Sequence, residues 1–152
     1  MNPPKCDEMN YINFLIAAQR VFSSVEASQT HPAEEQAPAH DAYTRLLKRL
    51  PPDSQALWQE VNPLVNLTQG VLVIDDSTLD KPYASQMALV SRHWSGKHHA
   101  VVQGINLISL VWTDRECRLP CDFRLYNKAE DGLSKNDHFQ HLIEQAQQRG
   151  FE

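Results

Sequence analysis

Glycine is scarce in this chain, five in 152 residues, and none of the five forms a phosphate-cradling loop. That excludes the nucleotide-binding patterns built on clustered glycines. No Gly-x-Ser-x-Gly elbow is present, so the serines, histidines and aspartates of the chain are not arranged as an α/β-hydrolase nucleophile. Cysteine is rare as well: three, with no Cys-x-x-Cys pair, which argues against a structural zinc site. Cys117 and Cys121, four apart on an expected strand, would lie about 13 Å from each other, too far for a disulfide. Buried, reduced thiols are expected instead. No apolar run approaches about 18 residues, so no membrane-spanning helix is expected. The segment Met1–Glu8 has no basic start leading into an apolar stretch, so it is not a signal peptide. A cytoplasmic protein is expected. Basic residues are also in deficit, 14 against 19 acidic ones, for a net charge of −5. This argues against a protein that simply coats nucleic acid, but not against a local basic patch. The clearest such patch runs from Lys81 to His99, with Lys81, Arg92 and Lys97 as its cations and His93, His98 and His99 among them.

The most informative stretch present is Val71-Leu72-Val73-Ile74-Asp75-Asp76. Four branched apolar residues in a row read as a strand buried on both faces, Val71 to Ile74. Two carboxylates, Asp75 and Asp76, stand at its end. Ser77 to Ala100 reads as a long polar connection. His99 to Trp112 is nearly all apolar from Ile105 onward and reads as a central strand. Thr113 to Glu116 makes a hairpin turn. Cys117 to Tyr126 alternates, with Leu119, Cys121, Phe123 and Leu125 on one face and Arg118, Asp122 and Arg124 on the other. Pro120 lacks a backbone donor, which places this strand at an edge. After a polar loop, Asn136 is positioned to cap a helix with Phe139, Leu142, Ile143 and Ala146 on its inner face, and Gly150 ends it.

The first 69 residues read as helical. Phe14, Ala17, Ala18, Val21, Phe22 and Val25 form one apolar face. Ser28 to Ala39 is a loop. Asp41 can cap a second helix burying Tyr43, Leu46, Leu47 and Leu50, stopped by Pro51-Pro52. Asp53 or Ser54 starts a third with Leu57, Trp58, Val61 and Val65 inside, closed near Asn62-Pro63. Three such helices suit an ordinary bundle or a helix-turn-helix-like DNA-binding module. Arg45, Lys48 and Arg49 on the second helix tilt the balance toward phosphate contact.

The order strand, two-strand hairpin, helix resembles the first half of a ribonuclease H-like fold. Several segments carry a closer resemblance: Val73 to Pro82, Ser91 to His99, Val102 to Leu107, Pro120 to Tyr126 and Ser134 to Phe139. Together they are similar to bacterial insertion-sequence transposases with a DDE catalytic domain, across essentially the whole chain. The resemblance implies residues 1–69 as a DNA-binding module and residues 70–152 as a partial catalytic domain of α/β class. It implies transposon-end DNA as partner. It also implies a triad of two aspartates and a glutamate that holds Mg²⁺ or Mn²⁺, hard ions that take oxygen ligands. Asp76 carries over as the first catalytic aspartate and metal ligand. Asp75, its neighbour, would point to the other face of the strand.

In that family the second aspartate and the glutamate lie after the segment that Glu152 closes. Asp122, Asp131, Asp137 and Glu144 read as solvated surface acids and do not replace them. A truncated, inactive transposase with weak metal binding is therefore expected. The alternatives are a non-catalytic DNA-binding or dimerising fragment that inhibits a full-length transposase, and a relic that folds poorly. His138 and His141, at i and i+3, lack a third metal ligand. The first strand, left without a fourth strand beside it, would have an edge open to pairing.

Overall fold

Four antiparallel strands and six α-helices make up the chain in a computed structural model that describes residues 5–19, 22–32, 37–50 and 52–152. The chain divides into two compact units, Met1–Pro52 and Asp53–Glu152.

In the first unit α1 is Glu8–Ala17. Its start is fixed by a reciprocal capping box: Asn10 N–H donates to Asp7 Oδ1 and Asp7 N–H to Asn10 Oδ1. The apolar spacing from Phe14 to Val25 predicts one continuous helical face, yet the helix ends at Ala18 and α2, Ser24–Gln29, starts afresh. The Ser23 hydroxyl accepts the Glu26 N–H. A local cap of this kind competes with helix continuation, and Phe22 and Val25 are left exposed. Val21 lies outside the described residues, as does Pro51. α3 is His40–Arg49. Ala39, not Asp41, stands at its N-cap, and Asp41 pairs with Arg45 one turn on. Cys6, Phe14, Ala27, Ala42, Tyr43 and Leu46 form the core, while Leu47 and Leu50 are exposed.

The second unit begins with α4, Ser54–Val61, capped by Asp53 and closed by a 3-10 turn, Asn62–Leu64. The expected boundary at 69/70 thus moves to 52/53, because Trp58 and Val61 of α4 join the core of the sheet. The strands are β1, Val71–Asp80; β2, Ser91–Ser95; β3, Ala100–Thr113; and β4, Arg118–Tyr126. β3 is central, as its apolar run predicts. β1 runs along one edge of it, from Val71↔Thr113 to Asp80↔Gly104. β2 and β4 follow one another along the other edge, Ser91↔Gly104 to Ser95↔Ala100 and Asn106↔Tyr126 to Thr113↔Arg118. α5 is Lys128–Asp131, and α6 is Lys135–Gln148. Ser134 and Asp137 form a capping box at the start of α6, the role the sequence offered to Asn136. Gly150 follows its end with a φ of +93°, the left-handed conformation glycine adopts freely.

Ile108, Leu110 and Trp112 of β3 pack with Cys121, Trp58, Val61, Leu142 and Ala146. Burying each large apolar side chain is worth about 1.5–3 kcal/mol. β1 differs from expectation. It is longer, it pairs only with β3 among the described residues, and Val71 and Val73 are exposed while Leu72 and Ile74 face the core. β2 was unforeseen, since Ser91-Arg92-His93-Trp94-Ser95 carries no apolar alternation. In β4 the register shifts where Val111 pairs with Pro120 and Leu110 with Asp122. This bulge puts the consecutive Cys121 and Asp122 both inside. Asp122 is therefore no surface acid: its side chain is fully buried, ion-paired with Arg124 and Arg149 at 2.9 Å each. Arg149 Nη1 also donates to the Cys121 carbonyl (3.0 Å), and its guanidinium lies 4.8 Å from the Trp58 ring centre. Cys6 and Cys121 are buried free thiols, whereas Cys117 is exposed. No helix of the described residues is long and apolar enough to cross a membrane.

Candidate active site at the helix-covered face of the sheet

Strand parity separates the two aspartates. Asp76 pairs with Ile108 and shares the core-side parity of Leu72 and Ile74; Asp75 pairs with Ser109 and belongs to the opposite face with Val71 and Val73. They do not converge on one point. Asp76 emerges where the apolar core gives way to polar side chains. Lys135, the first residue of α6, donates from Nζ to Asp76 Oδ2. Asn106 Nδ2 donates to the same oxygen (3.3 Å) and approaches the Ser77 carbonyl and Thr78 Oγ1 at 3.5 Å each. The Lys135 hydrogen bond, opposed by partial burial and helped by Asn106, holds the Asp76 carboxyl below its usual range. Asn106 itself is fully buried, and its Oδ1 has no hydrogen-bond partner among the described residues.

Further side chains close around this pair. His93, on the core side of β2 opposite Val102, is buried, and its Nε2 is hydrogen-bonded to Ser91 Oγ at 2.8 Å. Its ring lies 6.1 Å from that of Tyr126, which meets His138 edge-on at 5.7 Å. Lys135 Nζ sits 5.8 Å from the centre of the Tyr126 ring. Burial, then the charge of Lys135, pushes the His93 imidazole below its ordinary pKa, with Asp76 acting the other way. Gly104 lets β1 lie close against β3 at Thr78 and Leu79. A Cβ there would lie 2.6 Å from the Leu79 carbonyl oxygen and 2.8 Å from Thr78 Cγ2. The result is one carboxylate, about a third exposed, bonded to a lysine and an amide, with His93 and His138 packed against the neighbouring Tyr126.

Of the residues singled out in the sequence, Asp76 takes this position and Asp75 does not. Lys135, Asn106 and His93 were missed as neighbours of Asp76. Asn106 left a signal, a polar residue inside an apolar central strand with the parity of Ile108. His138 is buried in the cluster while His141 is exposed, so they do not form a metal pair. Among the described residues no three His, Cys, Asp or Glu side chains gather in a metal-binding group. The basic residues proposed for phosphate contact fall in two places. On α3, Arg45 is held by Asp41 at 2.5 Å, Arg49 Nη2 donates to the Cys6 carbonyl at 2.8 Å, and Lys48 is exposed. Lys81, Arg92 and Lys97 are all exposed in the sheet unit.

A sequence model described as DDE superfamily endonuclease matches residues 11–141, which covers most of both units. No curated protein and no solved structure matches the chain.

Proposed function

This chain belongs to the DDE superfamily endonucleases, and on that premise we propose that it is the part of an insertion-sequence transposase that carries the first catalytic aspartate, Asp76. Enzymes of this superfamily act on DNA and generally use divalent metal ions. The observation that carries the reading is the placement of Asp76: a strand delivers it from an apolar core to the polar end of the sheet, where cationic and amide donors already gather on its carboxylate. The sheet order supports a ribonuclease H-like reading, with β1 antiparallel to β3, β3 to β4, and α6 on the core face. In that reading the outer edge of β1, unpaired among the described residues, takes a further parallel strand.

The residues present fit a hard cation. Asp76 supplies a carboxylate oxygen; Asn106 turns its Nδ2 toward that oxygen, and its buried Oδ1, without a partner among the described residues, would join the site only with the amide turned over. Mg²⁺ or Mn²⁺, when bound, polarises the scissile phosphate and makes a water or 3′-hydroxyl a better nucleophile. Asp76 would hold it, and Lys135 would be displaced from the carboxylate as it binds. One carboxylate gives weak affinity, so we propose that strand cleavage needs two further carboxylates from outside the cluster described. Asp75, on the opposite face, is not proposed as one of them. Mn²⁺ binding followed by electron paramagnetic resonance tests the assignment. Weak binding that disappears in Asp76→Asn is expected; unchanged binding sinks it. Mg²⁺- or Mn²⁺-dependent nicking of end-sequence DNA by this chain alone is expected to be absent, and activity abolished by Asp76→Ala would overturn the need for further carboxylates.

A further inference from the structure

From Lys81 to Thr113 the sequence contains no aspartate or glutamate, although acids outnumber bases in the chain as a whole. The cations of this stretch are Lys81, Arg92 and Lys97. The nearest acid before it, Asp80, is already engaged by His98 Nε2 at 2.8 Å. Two large aromatic side chains stand exposed among these cations: Tyr83 is 96% and Trp94 64% exposed. Neither packs against another ring among the described residues.

The strand register places Arg92 and Trp94, and a turn places Tyr83 near them. Arg92 and Trp94 alternate with the buried His93 and Ser95, so both point to the face of the sheet opposite the core. Arg92 pairs with Gln103, and Trp94 with the exposed Val101. On the other flank of β3 the turn Lys81–Ala84 is fastened to the same Gln103. Lys81 N–H donates to the Gln103 carbonyl at 2.9 Å, and Gln103 Nε2 donates to the Ala84 carbonyl. Tyr83 at that turn and Trp94 on β2 thus flank one glutamine, with Lys81 and Arg92 beside them.

Resting on the reading above that this is a DNA-acting domain, we infer that this outer patch binds DNA in single-stranded form. The two rings stack on unpaired bases while Lys81, Arg92 and Lys97 contact phosphates. Binding to phosphates alone would need no aromatic side chains. A ring fixed on a strand cannot reach the faces of bases stacked in a duplex, but it matches an unstacked base of any identity. Exposed aromatics with arginine also mark protein interfaces; here the absence of acids over the whole stretch favours a polyanion.

Trp94 supplies its own probe. Trp58 and Trp112 are buried, so quenching of the exposed fraction of tryptophan fluorescence by oligo(dT) reports on Trp94. Affinities for labelled oligo(dT) and for a duplex of equal length would be measured at low salt by anisotropy. For wild type, preference for the single strand is expected. Trp94→Ala and Tyr83→Ala should each weaken it roughly 5- to 150-fold, with little change toward duplex, and Trp94→Phe should retain most of the affinity. Arg92→Gln should lower the salt slope by about 0.7 for each phosphate that is no longer neutralised. All these positions are exposed, and melting curves check that the variants fold. Duplex and single-strand binding that is equally indifferent to both ring substitutions overturns the patch but leaves the DNA-acting reading intact. No binding of either DNA overturns both. Self-association abolished by Trp94→Ala, without any effect on DNA, assigns the patch to a protein partner and also overturns the inference.

Discussion

Replacing Asp122 with alanine should destabilise the sheet unit more than any other change of an acidic residue. Its carboxylate is fully buried between Arg124 and Arg149, and the two guanidinium groups differ in what they can do once it is gone. Arg124 is 29% exposed and bonds Ser54 Oγ and Gln145 Oε1, so it can rehydrate. Arg149 is 6% exposed. It would keep the Cys121 carbonyl and the Trp58 ring but lose its counter-charge inside the protein. Removing one partner of a buried pair costs about 3–5 kcal/mol, mainly through the charge left behind. A domain of this size has about 5–15 kcal/mol in all, so the loss is a large share. Urea unfolding read by tryptophan fluorescence follows the buried Trp58 and Trp112 directly. The expected result is a markedly lower midpoint at an unchanged slope. The double variant Asp122→Ala, Arg149→Leu removes the stranded charge and should recover part of the loss. A loss below about 1 kcal/mol for the single variant, typical of an exposed pair, would refute the reasoning.

Gly104→Ala should push β1 off β3, since its Cβ meets β1 backbone at 2.6 Å; about 1–3 kcal/mol of stability and the Mn²⁺ signal at Asp76 should both fall, and a variant with wild-type melting would contradict this. Thiol labelling of the native protein should modify Cys117 alone, because Cys6 and Cys121 are buried and burial raises both thiols; mass spectrometry showing two or three labels before unfolding would disprove it. His93 has a pKa depressed from 6.5, so the unfolded chain takes up its proton first. Stability is then full above about pH 6.5 and falls as pH drops through the lowered value, and His93→Gln should flatten this part of the profile. The Asp76–Lys135 contribution is likewise present above the ordinary 3.8 and lost as pH falls through the depressed value. With both side chains about a third exposed, it should amount to no more than about 1 kcal/mol.

Much of the sheet was legible because its strongest signal, the apolar run from Ile105 to Trp112, belongs to its central strand. What failed shares one cause: residue patterns specify a face but not what covers it. Val71 to Ile74 looked buried on both sides, but β1 pairs only with β3 among the described residues, and only the Leu72 and Ile74 side meets the core. Trp58 and Val61 gave a clear helical period that was silent on which core they enter. Strict alternation placed Asp122 outside, and one bulge beside Pro120 reversed it. Pro120 has no N–H to give the ladder, so a break there was the physical possibility that alternation left out. The helix starts show the same limit on a smaller scale. Asn136 and Asp41 are good capping residues, but Ser134 with Asp137, and Ala39 without a side-chain bond, hold those positions.

The candidate site was half legible for a related reason. Choosing between Asp75 and Asp76 needs only parity, once it is known which face the helix covers: the residue two beyond Ile74 lies on the core side. The neighbours of Asp76 needed topology. Lys135 is 59 positions away and reaches the carboxylate because α6 begins at that end of the sheet; Asn106 reaches it because Thr78 and Asn106 are paired across β1 and β3. These neighbours give Asp76 a property that a surface aspartate lacks. Its carboxylate is held by a cation and an amide in the folded chain, and under the proposed assignment a divalent ion would take the place of the Lys135 ammonium. The same neighbours set a cost, because Lys135 would have to leave for an ion to be held there. Asp75, exposed on the opposite face, has no side-chain partner among the described residues, and the proposed assignment of the metal to Asp76 rests on its place with these polar groups on the core side of the strand.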